Sequence, residues 1–383
     1  MSNAVSSIEQ DADRAASMGD VAGAARLLEQ ATESDPGRFM LWTKLSAMRR
    51  ASGDLPGALA ATDRGLALQP LDFSLLLARA MLLDRLGDAR AGEAFGHAVA
   101  QAPEESEMPP AMRPVFQRAK DRAASHADAL TVGLMAEIGE AASPEQRERL
   151  TRFVTNHART TQVFHQEPSH FHFQGLPERE FHDRADFQFL DKLEAATATI
   201  RDEFQTLLEA EAAAMVPYIQ YPDRVPLRQW EALNHNRDWS ALHLIQNGRT
   251  IDRNARHCPA TMALLAALPQ PDVLGASPNA MFSMLAPRTR IPAHTGVANT
   301  RLVCHLPLIV PPHCGFRVGA TTREWRPGEA FVFDDTIEHE AWNDSDELRV
   351  VMILDLWPPA LGSAERAAVA RIIARAGVGF AGL

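Results

Sequence analysis

Apolar positions in the first hundred residues come in short stripes, punctuated by Gly-Asp pairs at a fixed interval. Gly19-Asp20, Gly53-Asp54 and Gly87-Asp88 recur every 34 residues. Pro36 and Pro70 keep that interval, and Pro103 falls one residue short of it. Ala24 and Ala58 are in step, as are Phe39 and Phe73. The pattern predicts a helix, a tight turn at Gly-Asp, a second helix, and a Pro past its end.

This period, with small residues and a closing Pro, resembles the tetratricopeptide repeat. Ala24 and Ala58 would let paired helices approach closely. Trp42, Leu45, Leu75, Leu76 and Leu77 read as stacking core. Residues 1–105 are therefore expected to be helical repeats, with a concave face suited to a peptide or protein partner and no chemistry of their own. Residues 106–165 read as a helical connector, polar and mostly helical over Arg113–Glu140 and Pro144–Thr161.

The texture changes near residue 163. Phe, His and Pro become frequent, and one helix is predicted from Asp191 to about Met215. From Asn279 onward the pattern is β. Ala280–Leu285, Arg301–Leu308, Gly315–Val318, Ala330–Phe333 and Leu348–Trp357 are short apolar runs between Pro, Gly, Asn and Asp turns. Such spacing predicts a sandwich or jelly roll. Ala364–Ala376 closes the chain as an amphipathic helix stopped by Gly377. The expected fold is thus multidomain: all-α repeats, then a β jelly roll with flanking helices over 166–383.

Composition narrows the function classes. At 383 residues, two or three domains are the prior. A 46% apolar, 23% charged chain is globular rather than disordered. The net charge is −11 with no local basic block, which argues against nucleic acid. No apolar run approaches the roughly 18 residues of a membrane span, so no membrane insertion is expected. The first residues lack a basic, then apolar, leader pattern. Three cysteines without a CxxC predict neither a disulfide framework nor a cysteine zinc site, and fit a reducing cytoplasm.

Chemistry concentrates in the β region. His294 follows a strand and a Pro-containing turn; His339 ends the run Phe331 to Glu338. The 45 residues between them span about four strands, which in a jelly roll returns the chain to the same open end. Arg349 sits in the apolar run Leu348–Leu354. A buried guanidinium requires an anion, and its fork suits a carboxylate. Two histidines for a metal and a buried Arg for a distal carboxylate are the parts of a 2-oxoglutarate oxygenase.

The same segment resembles the aspartyl/asparaginyl β-hydroxylase family, bacterial members included. The residues that carry the resemblance are His294-Thr295-Gly296, Asn299, Arg301-Leu302, His305-Leu306, Trp325, Gly328, Phe333-Asp334-Asp335, Glu338-His339-Glu340, Trp342, Arg349 and Asp355-Leu356-Trp357. Upstream, Asn236-Arg237-Asp238-Trp239-Ser240, Asn247-Gly248, Asn254 and Cys258-Pro259 extend it to roughly residues 165–365.

The resemblance implies a double-stranded β-helix that uses Fe(II) and 2-oxoglutarate to hydroxylate a C–H. It makes His294 and His339 the iron ligands. Most such oxygenases place a carboxylate two residues after the first His; here Gly296 stands there, as the family's two-histidine site implies, and the third iron ligand is left unspecified. Asp334 and Asp335 read as turn formers. By the same resemblance, Arg349 and Ser283 bind the distal carboxylate of 2-oxoglutarate and His305 the carboxylate nearer the metal, while Asn299 and Arg301 line the substrate site.

Two positions depart from the family pattern. Met281 and Val303 stand where animal members carry basic residues for a substrate carboxylate, leaving Arg301 to serve alone. The expected substrate is the β-carbon of an Asp or Asn residue in a peptide or protein, with a free amino acid or acyl chain also open. Two other classes remain: a cupin-type metal enzyme without 2-oxoglutarate, and a repeat-based adaptor with a degenerate barrel.

Overall fold

In the computed structural model, which describes residues 2–222 and 228–377, each Gly-Asp pair marks a turn between two helices. The pairs are α1 (Ser2–Ser17) with α2 (Val21–Ser34), α3 (Phe39–Ala51) with α4 (Leu55–Leu68), and α5 (Phe73–Arg85) with α6 (Ala91–Ala100). Gly19 and Gly53 hold φ of 84° and 87°, a region that favours glycine. The next residue then caps the following helix: Asp20 accepts from Gly23 N and Asp54 from Gly57 N. Asp88 departs from this pattern. Its carboxylate accepts from Arg90 N at 2.9 Å, and α6 starts without a side-chain cap.

Ala24 and Ala58 are fully buried, as the close helix approach requires, and Leu45, Leu75 and Leu77 are buried core. Trp42 and Leu76 are part-buried against it. Two further helices follow, α7 (Arg113–Met135) and α8 (Pro144–His157). Ala119 of α7 shares the core of α5 and α6. The segment read as a connector thus packs with the repeats, and this unit runs to Thr161; the second begins at Gln162.

The second unit contains α9 (Leu190–Ala195) and α10 (Thr197–Glu211) where one helix was expected. At the break, the Thr197 hydroxyl donates to Glu194 O at 2.6 Å, a local bond that competes with the helical ladder. The strands are β1 (Val216–Pro217), β2 (Trp239–Gln246), β3 (Arg249–Thr250), β4 (Ala280–Leu285), β5 (Thr289–His294), β6 (Leu302–Ile309), β7 (Cys314–Val318), β8 (Thr321–Arg323), β9 (Phe331–Phe333), β10 (His339–Asn343) and β11 (Arg349–Leu356). Short helices α11 (Asp252–Ala255) and α12 (Pro259–Leu265) separate β3 from β4. Helix α13 (Ser363–Ala376) closes the unit, with Gly377 in the left-handed region at φ 67°.

The larger sheet runs β1-β2-β4-β11-β6-β9, with β3 on β2; the smaller runs β5-β10-β7-β8. All these pairings are antiparallel. Strand β11 shows how the larger sheet is built. Val350, Met352, Leu354 and Leu356 face one core with Phe204 of α10 and Leu193 of α9. Val351 and Ile353 face the other, shared with Ile291, Phe316 and Ala341 of the smaller sheet. Period-2 alternation therefore aims Arg349 and Asp355 at the space between the sheets. The architecture is helical repeats followed by an antiparallel β domain.

Candidate active site

A cavity of about 370 Å³ opens between the two sheets. His294 and His339 reach it from neighbouring strands, as Cα partners across β5 and β10. Their ring centroids are 4.0 Å apart. In each ring Nδ1 faces the carbonyl two residues back, Pro292 O at 2.8 Å and Ile337 O at 3.1 Å. A carbonyl only accepts, so each Nδ1 donates and each Nε2 keeps its lone pair. Burial lowers the pKa of His294 to about 4 and that of His339 well below the usual imidazole range. Two neutral rings with oriented Nε2 atoms are the form that ligates a metal.

Gly296 has no side chain to offer, and its neighbourhood leaves no room for one. A Cβ there would collide with the Asp335 carboxylate. Among the described residues, no group of three or more His, Cys, Asp or Glu side chains is gathered to hold a metal.

Deeper between the sheets lies Arg349, 1% exposed. Its guanidinium carbon sits 4.3 Å from the Trp325 ring centroid. Its Nε and Nη2 have no hydrogen-bond partner. Burial without an anion lowers its pKa to about 9, which leaves it charged at neutral pH. Ser283 Oγ, on the adjacent β4, accepts from Trp239 Nε1 at 3.1 Å and so keeps its own proton to donate. His305, on β6 beside β11, is buried with its Nδ1 unpartnered. Burial, then the Arg349 charge, hold it neutral. The cavity therefore presents an unpaired guanidinium, a free hydroxyl proton and an unpaired imidazole nitrogen. That donor set matches a small dicarboxylate or keto acid.

Arg301 lines this cavity, but with its guanidinium already engaged. Its Nη1 donates to Asp355 Oδ1 at 2.7 Å and its Nη2 to Asp335 Oδ2 at 2.6 Å, all three side chains being buried. Two carboxylates already engage it, so it does not stand ready for a substrate anion. Asn299 does not line this cavity. Its amide joins Phe173 N and O and Gln166 Oε1, fastening the segment before α9 to the loop after β5. Asp334 is the turn former expected, accepting from Thr336 N and Oγ1. Asp335 lies in the same turn, and its carboxylate in addition lines the cavity and pairs Arg301.

The sequence reading left out Tyr218, Trp239, Trp325 and Asp355 as site residues. Tyr218 and Trp239 stack at 3.9 Å beside the histidines. Trp239, Trp325 and Asp355 were visible in the family motif; Tyr218 carried no such signal.

Residues 194–359 match the family described as Aspartyl/Asparaginyl beta-hydroxylase. The human aspartate beta-hydroxylase domain-containing protein 2 is 33% identical over 213 residues, 55% of each chain. The human aspartyl/asparaginyl beta-hydroxylase is 30% identical over 181 residues, 47% of this chain and 22% of that one. The ornithine lipid ester-linked acyl 2-hydroxylase of Rhizobium tropici is 37% identical over 124 residues, 32% of this chain and 42% of that one. The match to the first of these relatives spans about half of that protein's length. The matched strands carry both histidines and Arg349, and over residues 194–359 the second unit is similar to the aspartyl/asparaginyl beta-hydroxylase family.

Proposed function

We propose that the second unit is an Fe(II)- and 2-oxoglutarate-dependent dioxygenase that hydroxylates a C–H of a peptide, protein or small molecule, on a jelly-roll scaffold. One observation carries this reading. A buried guanidinium with two unpartnered nitrogens shares a cavity with two imidazoles whose Nδ1 atoms are tied back. An unpaired buried charge costs several kcal/mol, of the order that breaking a buried ion pair costs. A site that keeps one is built for an anion.

The residues present fit the cofactors. His294 and His339 would hold iron through Nε2. Arg349 and Ser283 would take the distal carboxylate of 2-oxoglutarate, and His305 the end nearer the metal. Bound there, iron and 2-oxoglutarate would supply the oxidising power for inserting one oxygen atom of O2 into a C–H, with succinate and CO2 as co-products. The chain's own work is placement. Pro292 O and Ile337 O fix the two imidazoles. Trp239 orients the Ser283 hydroxyl, and the Trp325 face backs the guanidinium. Apolar walls limit water near the reacting atoms.

For the first unit we propose a protein-binding role, in the cytoplasm, that brings a substrate or partner to the enzyme. Stacked helical hairpins form extended surfaces of this kind.

The test is anaerobic titration of the Fe(II)-loaded full chain with 2-oxoglutarate, following the metal-to-ligand absorption band. A band that needs His294 and weakens in Arg349→Ala supports the reading. No band from fully loaded wild type would remove it in favour of a cupin-type enzyme or an adaptor.

A further inference from the structure

The cation that would select an acidic substrate is engaged within the cavity wall itself. Arg301 lies between Asp335 and Asp355, at 2.6 and 2.7 Å. Asp355 is held firmly in this role: its other oxygen accepts from Ser277 Oγ at 2.6 Å, Asn279 N at 2.9 Å and Asn279 Nδ2 at 2.8 Å. Asp335 is 4% exposed, and its Oδ1 has no partner. Two carboxylates on one guanidinium leave this wall without positive charge to spare.

The surroundings agree. Met281, Val303 and Ile353 are buried neighbours on β4, β6 and β11, all lining the cavity. Glu340, also at the cavity, is paired with Arg317 at 2.5 Å. On the reading above, Arg349 is taken by the cofactor. A substrate carboxylate would then enter a wall of apolar side chains and meet carboxylates already in place. Removal from water without a free cation is costly, and juxtaposed like charges add to it.

We infer that this site takes a substrate with an uncharged, aliphatic reacting end, and that Asp335 and Asp355 determine this by withholding Arg301 from anions. The inference rests on the hydroxylase reading and names its substrate class. An unpaired Oδ1 at Asp335 further favours a substrate that brings an N–H or O–H donor beside the aliphatic group. An asparagine side chain satisfies part of this chemistry, an aspartate none of it.

Three blocked peptides, acetyl-Gly-Xaa-Gly-amide with Asp, Asn or Leu at the centre, separate charge from shape, because the three side chains branch alike. The full chain is saturated with Zn(II) in place of iron and with 2-oxoglutarate, and peptide affinity is read by ligand-observed NMR. The 2-oxoglutarate titration is recorded first, on its own. The leucyl peptide is expected to bind at least about tenfold tighter than the aspartyl peptide. Asp335→Asn and Asp355→Asn, each checked for folding by a thermal melt, are expected to narrow that gap by raising aspartyl affinity. Should either variant not fold, the wild-type ranking decides. Wild type that binds the aspartyl peptide as well as the leucyl one, or that binds neither, overturns the inference. Absence of a 2-oxoglutarate response with the ranking intact would sink the oxygenase reading and leave charge selection standing.

Discussion

Asp335 occupies the space that a side chain at Gly296 would need, its carboxylate standing where a Cβ would have to go. The absence of a side chain at 296 and the engaged Arg301 are therefore one arrangement. Writing the usual carboxylate back as Gly296→Asp would press one carboxylate against another and push Asp335 off Arg301. The variant is expected to lose about 3 kcal/mol or more of stability, from overpacking and a disrupted buried ion network. Chemical denaturation of the full chain measures this. A variant as stable as wild type would mean that Asp335 yields easily.

Asn343 is a second structural commitment next to the site. It is fully buried at the end of β10. Its Nδ2 donates to Leu285 O, Ala286 O and Glu347 O at 3.0, 3.1 and 2.8 Å, and its Oδ1 accepts from Ser345 Oγ at 2.7 Å. Asn343→Ala leaves several buried carbonyls without a donor. A loss of about 2–4 kcal/mol is expected, since each unsatisfied buried group costs about 1–3. Asn343→Asp should do no better, because it loses the donor and adds a charge.

Much of this architecture is legible in the sequence, and the exceptions share a cause. The repeats show because positive-φ glycines and capping aspartates are local requirements, repeated every 34 residues. Strands β4, β6, β7, β9 and β11 show because apolar runs between turn formers need no partner to be recognised. Strand β2 was not expected. Ser240 and His243 interrupt its apolar run, and the sheet that buries both its faces is assembled from distant strands. The pairing of Arg301 was illegible for the same reason. Its partners lie 34 and 54 residues away, joined only by sheet register. The family motif named His294, His339, Arg349, Ser283 and His305, which the structure gathers on one cavity. Residue type alone did not separate a free arginine from a paired one.

Acid should weaken the second unit through histidines outside the proposed metal pair. Burial lowers the pKa of His182 and His243 to about 4, and each has a ring nitrogen without a partner. A depressed histidine pKa means that the unfolded chain binds the proton first. The stabilisation is present above pH 6.5 and is lost as pH falls from 6.5 toward 4. Each residue is expected to cost about 1 kcal/mol at pH 5.5. Thermal melts at pH 7.5 and 5.5 should show the loss, and His182→Gln should reduce the difference between the two. An unchanged difference in that variant would place the acid sensitivity elsewhere.

Arg349 sets stability against function most directly. In the free protein its charge is buried and two of its nitrogens are unpartnered. The Trp325 face returns up to about 2 kcal/mol. Desolvation of an ion costs several, so the balance is unfavourable until an anion binds. Arg349→Met keeps the volume and removes the charge. The cofactor-free variant is expected to be more stable than wild type by about 2 kcal/mol, a rise of roughly 4–8 °C in Tm for a unit of this size. The thermal shift that 2-oxoglutarate gives to wild type should vanish in it. Differential scanning fluorimetry with and without 2-oxoglutarate reads both effects in one plate. A variant less stable than wild type without cofactor would show that the guanidinium has compensation in the free protein, and would weaken the case that it waits for a carboxylate.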